Sequence, residues 1–206
     1  MAAIIAVIVA VFGCTAITTD NSEAASTIYV DANATDDQTT NTYSTLAGAI
    51  AAATDGDVIT LKSDITNCPK IELDNGKEFT IDLNSFDITF AQNAYFHVVN
   101  ASLTITGNGT VKEGSPYYGP FLINTPTDAV KGQEYISLTI GENVTVEGWA
   151  PIFIDFNDES LVKNAYGVTI DIYGTLNSVN DYTGAAGHGI YLNGTCLLYT
   201  SDAADD

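Results

Sequence analysis

Two short apolar motifs take turns along this chain, and their alternation constrains the fold more than any other feature. A hydrophobic-Thr-Ile triplet recurs as Phe79-Thr80-Ile81, Leu103-Thr104-Ile105, Leu138-Thr139-Ile140 and Val168-Thr169-Ile170, at steps of 24, 35 and 30 residues. A second unit interleaves with it as Tyr95-Phe96-His97-Val98, Pro120-Phe121-Leu122-Ile123, Pro151-Ile152-Phe153-Ile154 and Gly189-Ile190-Tyr191-Leu192, at steps of 25, 31 and 38 residues. Inside each unit apolar residues alternate with others, the period of a strand with one buried face. Two strand units per repeat, separated by spacers of variable length, predict an all-β right-handed parallel β-helix, a solenoid of stacked rungs. Ile81, Ile105, Ile140 and Ile170 then stand in one interior column. Phe96 and Val98, Phe121 and Ile123, Ile152 and Ile154, and Ile190 and Leu192 stack in others, each buried side chain contributing about 1.5–3 kcal/mol.

Turn residues fall where such a backbone must corner: Asp74-Asn75-Gly76, Gly107-Asn108-Gly109, Gly141-Glu142-Asn143 and Asn193-Gly194. Ahead of the repeats, Leu46, Ala49, Ile50 and Ala53 have helical spacing. They predict an amphipathic helix over 44–54, capped by Ser44 and ended at Gly56, that covers the N-terminal end of the stack and shields its strand edges. Val58-Ile59-Thr60-Leu61 is expected as the first rung strand.

Charge narrows the partners. With 26 Asp and Glu against 6 Lys and no Arg, the net charge is −20, a surface that repels phosphate backbones and anionic lipid heads. Nucleic acid is therefore excluded as a partner. Polysaccharide, host glycan and host protein remain, and a monomer is expected. Residues 1–25 read as an export signal, because their apolar run is too short for a membrane span of about 20 residues. Val11-Phe12-Gly13-Cys14 resembles a bacterial lipobox, which makes Cys14 a candidate lipidation site and the only expected route to a membrane. Both readings place the protein outside the cell, secreted or at the cell surface. Cys14, Cys68 and Cys196 are too scattered for a disulfide framework or a thiolate metal site.

Tyr29-Val30-Asp31, the 46–53 helix and Gly56-Asp57-Val58-Ile59-Thr60-Leu61 together resemble the leading segment of pectate-lyase-like β-helix proteins. That superfamily holds polysaccharide lyases, glycosidases and microbial surface adhesins. The resemblance spans a domain over 26–195 and implies a fold rather than an activity. Gly187-His188-Gly189 resembles the Gly-His-Gly element of polygalacturonases, which makes His188 a weak catalytic candidate. The Asn-Thr-Asp, Asp-Asp and Arg-x-Lys elements of that family have no match here: Asn124-Thr125-Pro126 lacks the Asp, Asp36-Asp37 precedes the helix, and there is no Arg. Calcium-assisted lyase chemistry with an Arg base meets the same obstacle. Glycoside hydrolysis needs two carboxyl groups about 5–9.5 Å apart. The residues that follow the Thr-Ile pairs are Asp82, Thr106, Gly141 and Asp171, which sets the two acids three rungs, or about 14 Å, apart.

Residues 196–206, Cys196 to Asp206, break the pattern and resemble an in-frame translation of a transposase-type sequencing adaptor. They are expected to be a non-native tail that leaves the β-helix domain truncated after Thr195, with an uncapped rung near Tyr191.

The outward positions of the second unit align as His97, Leu122, Phe153 and Tyr191, and two residues further on as Val99, Asn124, Asp155 and Asn193. An aromatic and apolar stripe beside a polar one suits sugar, whose ring faces stack on aromatics while its hydroxyls take amide and carboxylate partners. Tyr117, Tyr118 and Trp149, in adjoining turns, extend the candidate glycan-binding set. Asp155, Asn157 and Glu159 place oxygen ligands at alternate positions, as at the start of a calcium loop, but the Gly and distal Glu of an EF-hand are missing. Calcium is the one candidate ion, and no resident cofactor is expected. These residues predict a non-catalytic, adhesin-like surface β-helix with a carbohydrate- or host-binding face. The alternative is an extracellular polysaccharide lyase or glycoside hydrolase with its active site beyond Thr195.

Overall fold

The computed structural model describes residues 25–113, 119–124, 134–155, 167–179 and 186–193. The expected signal, Cys14, Tyr117, Tyr118, Asn157, Glu159 and the 196–206 tail lie outside these residues, apart from Ala25. The described part is almost entirely strand, and its strands pair only in parallel.

Numbered in chain order, the strands fall into three lanes. One lane carries the hydrophobic-Thr-Ile unit: β1 (Thr27–Val30), β3 (Asp57–Leu61), the second half of β5 (Ile71–Asp82), the second half of β7 (Phe96–Thr106), β10 (Glu134–Ile140) and β13 (Gly167–Ile172). Another carries the second unit: the first halves of β5 and β7, then β9 (Phe121–Ile123), β12 (Ile152–Asp155) and β15 (Ile190–Asn193). The third lane comprises β4 (Ile65–Cys68), β6 (Ile88–Phe90), β8 (Gly109–Lys112), β11 (Val144–Gly148) and β14 (Thr175–Ser178). The two-unit pattern does not predict this third lane. Because β5 and β7 run through a corner and serve two lanes, those two lanes join into one sheet, with the third lane as a separate five-stranded sheet. In β5 the expected Asp74-Asn75-Gly76 turn is absorbed as a register shift inside a continuous strand, with Gly76 at φ +68°.

Register follows chemistry. Ile28, Ile59, Ile81, Ile105, Ile140 and Ile172 form one interior column, each the lateral partner of the next. Ile170, expected in that column, pairs with Leu138 instead. The β13 unit is therefore shifted by two residues, and Ile172 takes the place opposite Ile140. The same shift moves Asp171 opposite Thr139, so Asp82 and Asp171 do not share a column at all. In the second lane Ile71, Phe96, Phe121, Ile152 and Ile190 align, as do Leu73, Val98, Ile123, Ile154 and Leu192. Phe96 stacks on Phe121 with ring centroids 5.3 Å apart and meets the third lane's Phe90 edge-on at 4.9 Å. Buried residues of all three lanes make one hydrophobic core.

The N-terminal end is covered as expected, with corrections. Helix α1 spans Leu46–Ala52, and Leu46, Ala49, Ile50 and the following Ala53 are all buried in the core. Thr45 rather than Ser44 caps it, its hydroxyl accepting from Gly48 N at 3.1 Å. Ser44 donates instead to Asp36, through both its N–H and its hydroxyl at 2.7 Å. The first strand is β1, not β3. β1 pairs with β3 on one side and with the short β2 (Thr42–Tyr43) on the other, which gives its outer edge a partner. At the far end, interior positions are less covered: Ile172, Leu176 and Leu192 are half-buried and Ile190 is 42% exposed, whereas Ile140, Val146, Ile123 and Ile152 are fully buried. Among the described residues no helix is long and apolar enough to cross a membrane.

Candidate functional site

The outward face of the second lane is fixed by the pairing of its inward face, because alternate residues of a strand point to opposite sides. Glu72, His97, Leu122, Phe153 and Tyr191 are successive lateral partners, so the expected stripe exists and begins one rung earlier, at Glu72. Its chemistry divides in two.

The N-terminal half is a polar chain. Lys70 Nζ lies 2.9 Å from Glu72, and Glu72 also meets His97 Nδ1. His97 Nε2 faces Asn124 Oδ1 at 2.7 Å, Asn124 Nδ2 donates to the Asp155 carbonyl at 2.7 Å, and Asn193 Nδ2 donates to the Asp155 carboxylate at 3.0 Å. Partial burial pushes the Glu72 carboxyl up, but the hydrogen bonds from Lys70 and His97 together with their charges outweigh it, so the net shift is downward. Asp155 and Asn193 are lateral partners as expected, and Asn124 is tied to them through hydrogen bonds. These residues satisfy one another along the stack, which holds their side chains in place.

The C-terminal half is an aromatic cluster. Tyr191 stacks on Phe153 with centroids 4.9 Å apart and an interplanar angle of 27°. Trp149 lies 5.6 Å from Tyr191, and His188 sits 5.2 Å from Tyr191 and 5.1 Å from Trp149, edge-on to the indole. The His188 N–H donates to the Trp149 carbonyl at 2.7 Å, and Trp149's own N–H donates to Glu113 at 2.9 Å. Phe153 is only 8% exposed, so it backs the cluster rather than presenting a face, while Tyr191 and Trp149 are half-exposed and His188 is exposed. The Trp149 indole N–H is buried and has no hydrogen-bond partner among the described residues.

His188, singled out by its flanking glycines, thus packs with the aromatic residues Trp149 and Tyr191. Sequence alignment could have found this, since counting back from the Ile152–Ile190 pairing sets Trp149 opposite Gly187, with His188 one step on. Of the calcium-loop set only Asp155 is described, and Asn193 occupies one of its carboxylate oxygens. Among the described residues no three His, Cys, Asp or Glu side chains gather as a metal set.

The chain was compared with protein-family models, with curated proteins and with solved structures, and none of the three gives a match.

Proposed function

We propose that this chain is a right-handed parallel β-helix of the pectate-lyase-like kind that acts at or outside the cell surface as a non-catalytic carbohydrate-binding protein. Three lanes of parallel strands that share one core, with lateral pairing that runs from β1 to β15, support the solenoid reading. The binding reading is carried by one observation: Tyr191, Trp149 and His188 come together as a partly exposed aromatic platform, backed by Phe153 and bordered by the Asn124, Asp155 and Asn193 hydrogen-bonding groups. Flat apolar faces beside amide and carboxylate groups are what a pyranose ring recognises. Glycan-array binding by the full chain tests the reading. Retention on at least one glycan class, reduced in Tyr191→Ala, is expected. Release of reducing or unsaturated sugar from any bound polysaccharide would instead mark the protein as an enzyme and end the non-catalytic reading.

A further inference from the structure

Among the described residues, the charges around the aromatic platform are nearly all of one sign. Glu113 accepts the backbone N–H of Trp149 at 2.9 Å. Glu147, two residues before Trp149, accepts from Asn177 Nδ2 at 2.7 Å, and Asp155, two residues after Phe153, accepts from Asn193 Nδ2 at 3.0 Å. Lys112, the lateral partner of Glu147, carries the one Lys or Arg charge among the described residues from 112 to 193. Among the described residues three carboxylates stand against one ammonium here, and the chain as a whole carries a net charge of −20, so the field at the platform is negative.

That field discriminates between sugars. A uronate polymer would bring its carboxylates against Glu113, Glu147 and Asp155 and be repelled. A neutral polymer gains ring stacking alone. A protonated amino sugar gains stacking, attraction to the carboxylates, and the attraction of a cation to the faces of Trp149 and Tyr191. From this complementarity we infer that the platform takes glucosamine polymers with free, protonated amines in preference to neutral or uronate polymers. The inference rests on the glycan-binding reading above and adds the ligand's charge to it.

Calorimetric titration of the full chain with glucosamine, N-acetylglucosamine and galacturonate hexamers, in mildly acidic buffer of low salt, separates the possibilities. The glucosamine hexamer is expected to bind on the order of tenfold tighter than its acetylated counterpart, the galacturonate hexamer not measurably. Tyr191→Ala, which leaves the charge unchanged, is expected to weaken binding of the glucosamine hexamer several-fold, and Tyr191→Phe to retain it. Equal or tighter binding of the acetylated hexamer overturns the inference and leaves the glycan-binding reading standing. Failure of all three hexamers, together with an empty glycan array, removes both. Should Tyr191→Ala not fold, competition on the unaltered chain decides: a short oligolysine that displaces the glucosamine hexamer at equal concentration shows plain charge attraction and overturns the inference.

Discussion

Asp57 occupies an inward position, opposite Phe79 at the head of a column that continues through Leu103 and Leu138, yet it is a carboxylate only 2% exposed. Four donors make this tolerable. Ser26 gives its N–H at 2.7 Å and its hydroxyl at 2.9 Å to one oxygen, and Thr54 gives the same pair, at the same distances, to the other. Burial raises the Asp57 carboxyl, but the backbone N–H groups of Thr54 and Ser26, with both hydroxyls, outweigh it and hold the acid below its ordinary value. A folded pKa below the unfolded one means that the stabilisation is fully present above the unfolded carboxylate pKa and is lost as pH falls through the lowered folded value. Asp57→Ala leaves these donors without an acceptor and should cost about 1–3 kcal/mol at neutral pH. That difference should shrink as acid unfolding is approached, and urea midpoints across a pH series measure it. Cys68 illustrates the opposite case. Its thiol is buried and burial alone pushes it up to about 12, so almost no thiolate exists at neutral pH. Peptide mapping after iodoacetamide treatment should find Cys68 unmodified in the folded chain and modified in urea.

At the scale of the element, two of the lanes were legible because their apolar spacing repeats along the chain, and the cap helix because Leu46, Ala49, Ile50 and Ala53 stand at helical spacing. The third lane was not, since its interior column runs Ile65, Ile88, Val111, Val146 and Leu176 through short strands that share no common triplet. The register error at Ile170 has a physical reason. A slip of one residue would turn the apolar side chains outward, but a slip of two keeps them inward, and Val168-Thr169-Ile170-Asp171-Ile172 alternates long enough to accept either setting. Only the true partners of Ile140 distinguish them. The candidate site depends on a detail of the same kind. A Cβ on Gly187 would fall 2.3 Å from Ser178 Oγ and 2.5 Å from the Trp149 carbonyl, whereas Gly189 has open space around it. Gly187 is therefore required for the close approach that brings His188 against Trp149 and Tyr191. Gly187→Ala should reduce glycan retention several-fold and lower stability by ~1–3 kcal/mol, while Gly189→Ala should leave both within about 0.5 kcal/mol of the unaltered chain. Paired glycan-binding and urea-unfolding measurements on the two variants provide the check.

Across the whole molecule, the strong acidity has a structural use as well as a surface one. Asp64 accepts the N–H of Asp87 at 2.9 Å, and Asp87 in turn accepts the N–H of Thr110 at 2.7 Å, so carboxylates on successive rungs hold the backbone of the next. Asp36, exposed, and Asp37, half-exposed, are likewise lowered: Asp36 by the N–H and hydroxyl of Ser44, Asp37 by the hydroxyl and N–H of Thr39 with help from Thr40. In both sheets each strand pairs laterally only with the strands beside it, so local stability should follow how completely a strand is sandwiched. Rungs through β5, β7, β9 and β10 have partners on both sides or fully buried interiors, and β1 has β2 and α1 over it. β13, β14 and β15 each pair on one side only among the described residues, and their interior side chains are half-buried at best. Hydrogen exchange followed by mass spectrometry should therefore show a gradient, with slow amides at Ile81, Ile105 and Ile123 and progressively faster ones through Ile172, Leu176 and Leu192. Since Tyr191 and His188 belong to the fast end, a ligand on the aromatic platform should slow exchange in β15 first and leave β3 unchanged. Uniform exchange from β3 to β15, or protection by ligand that begins at β3, would contradict both the nearest-neighbour stack and the placement of the site on its last described rung.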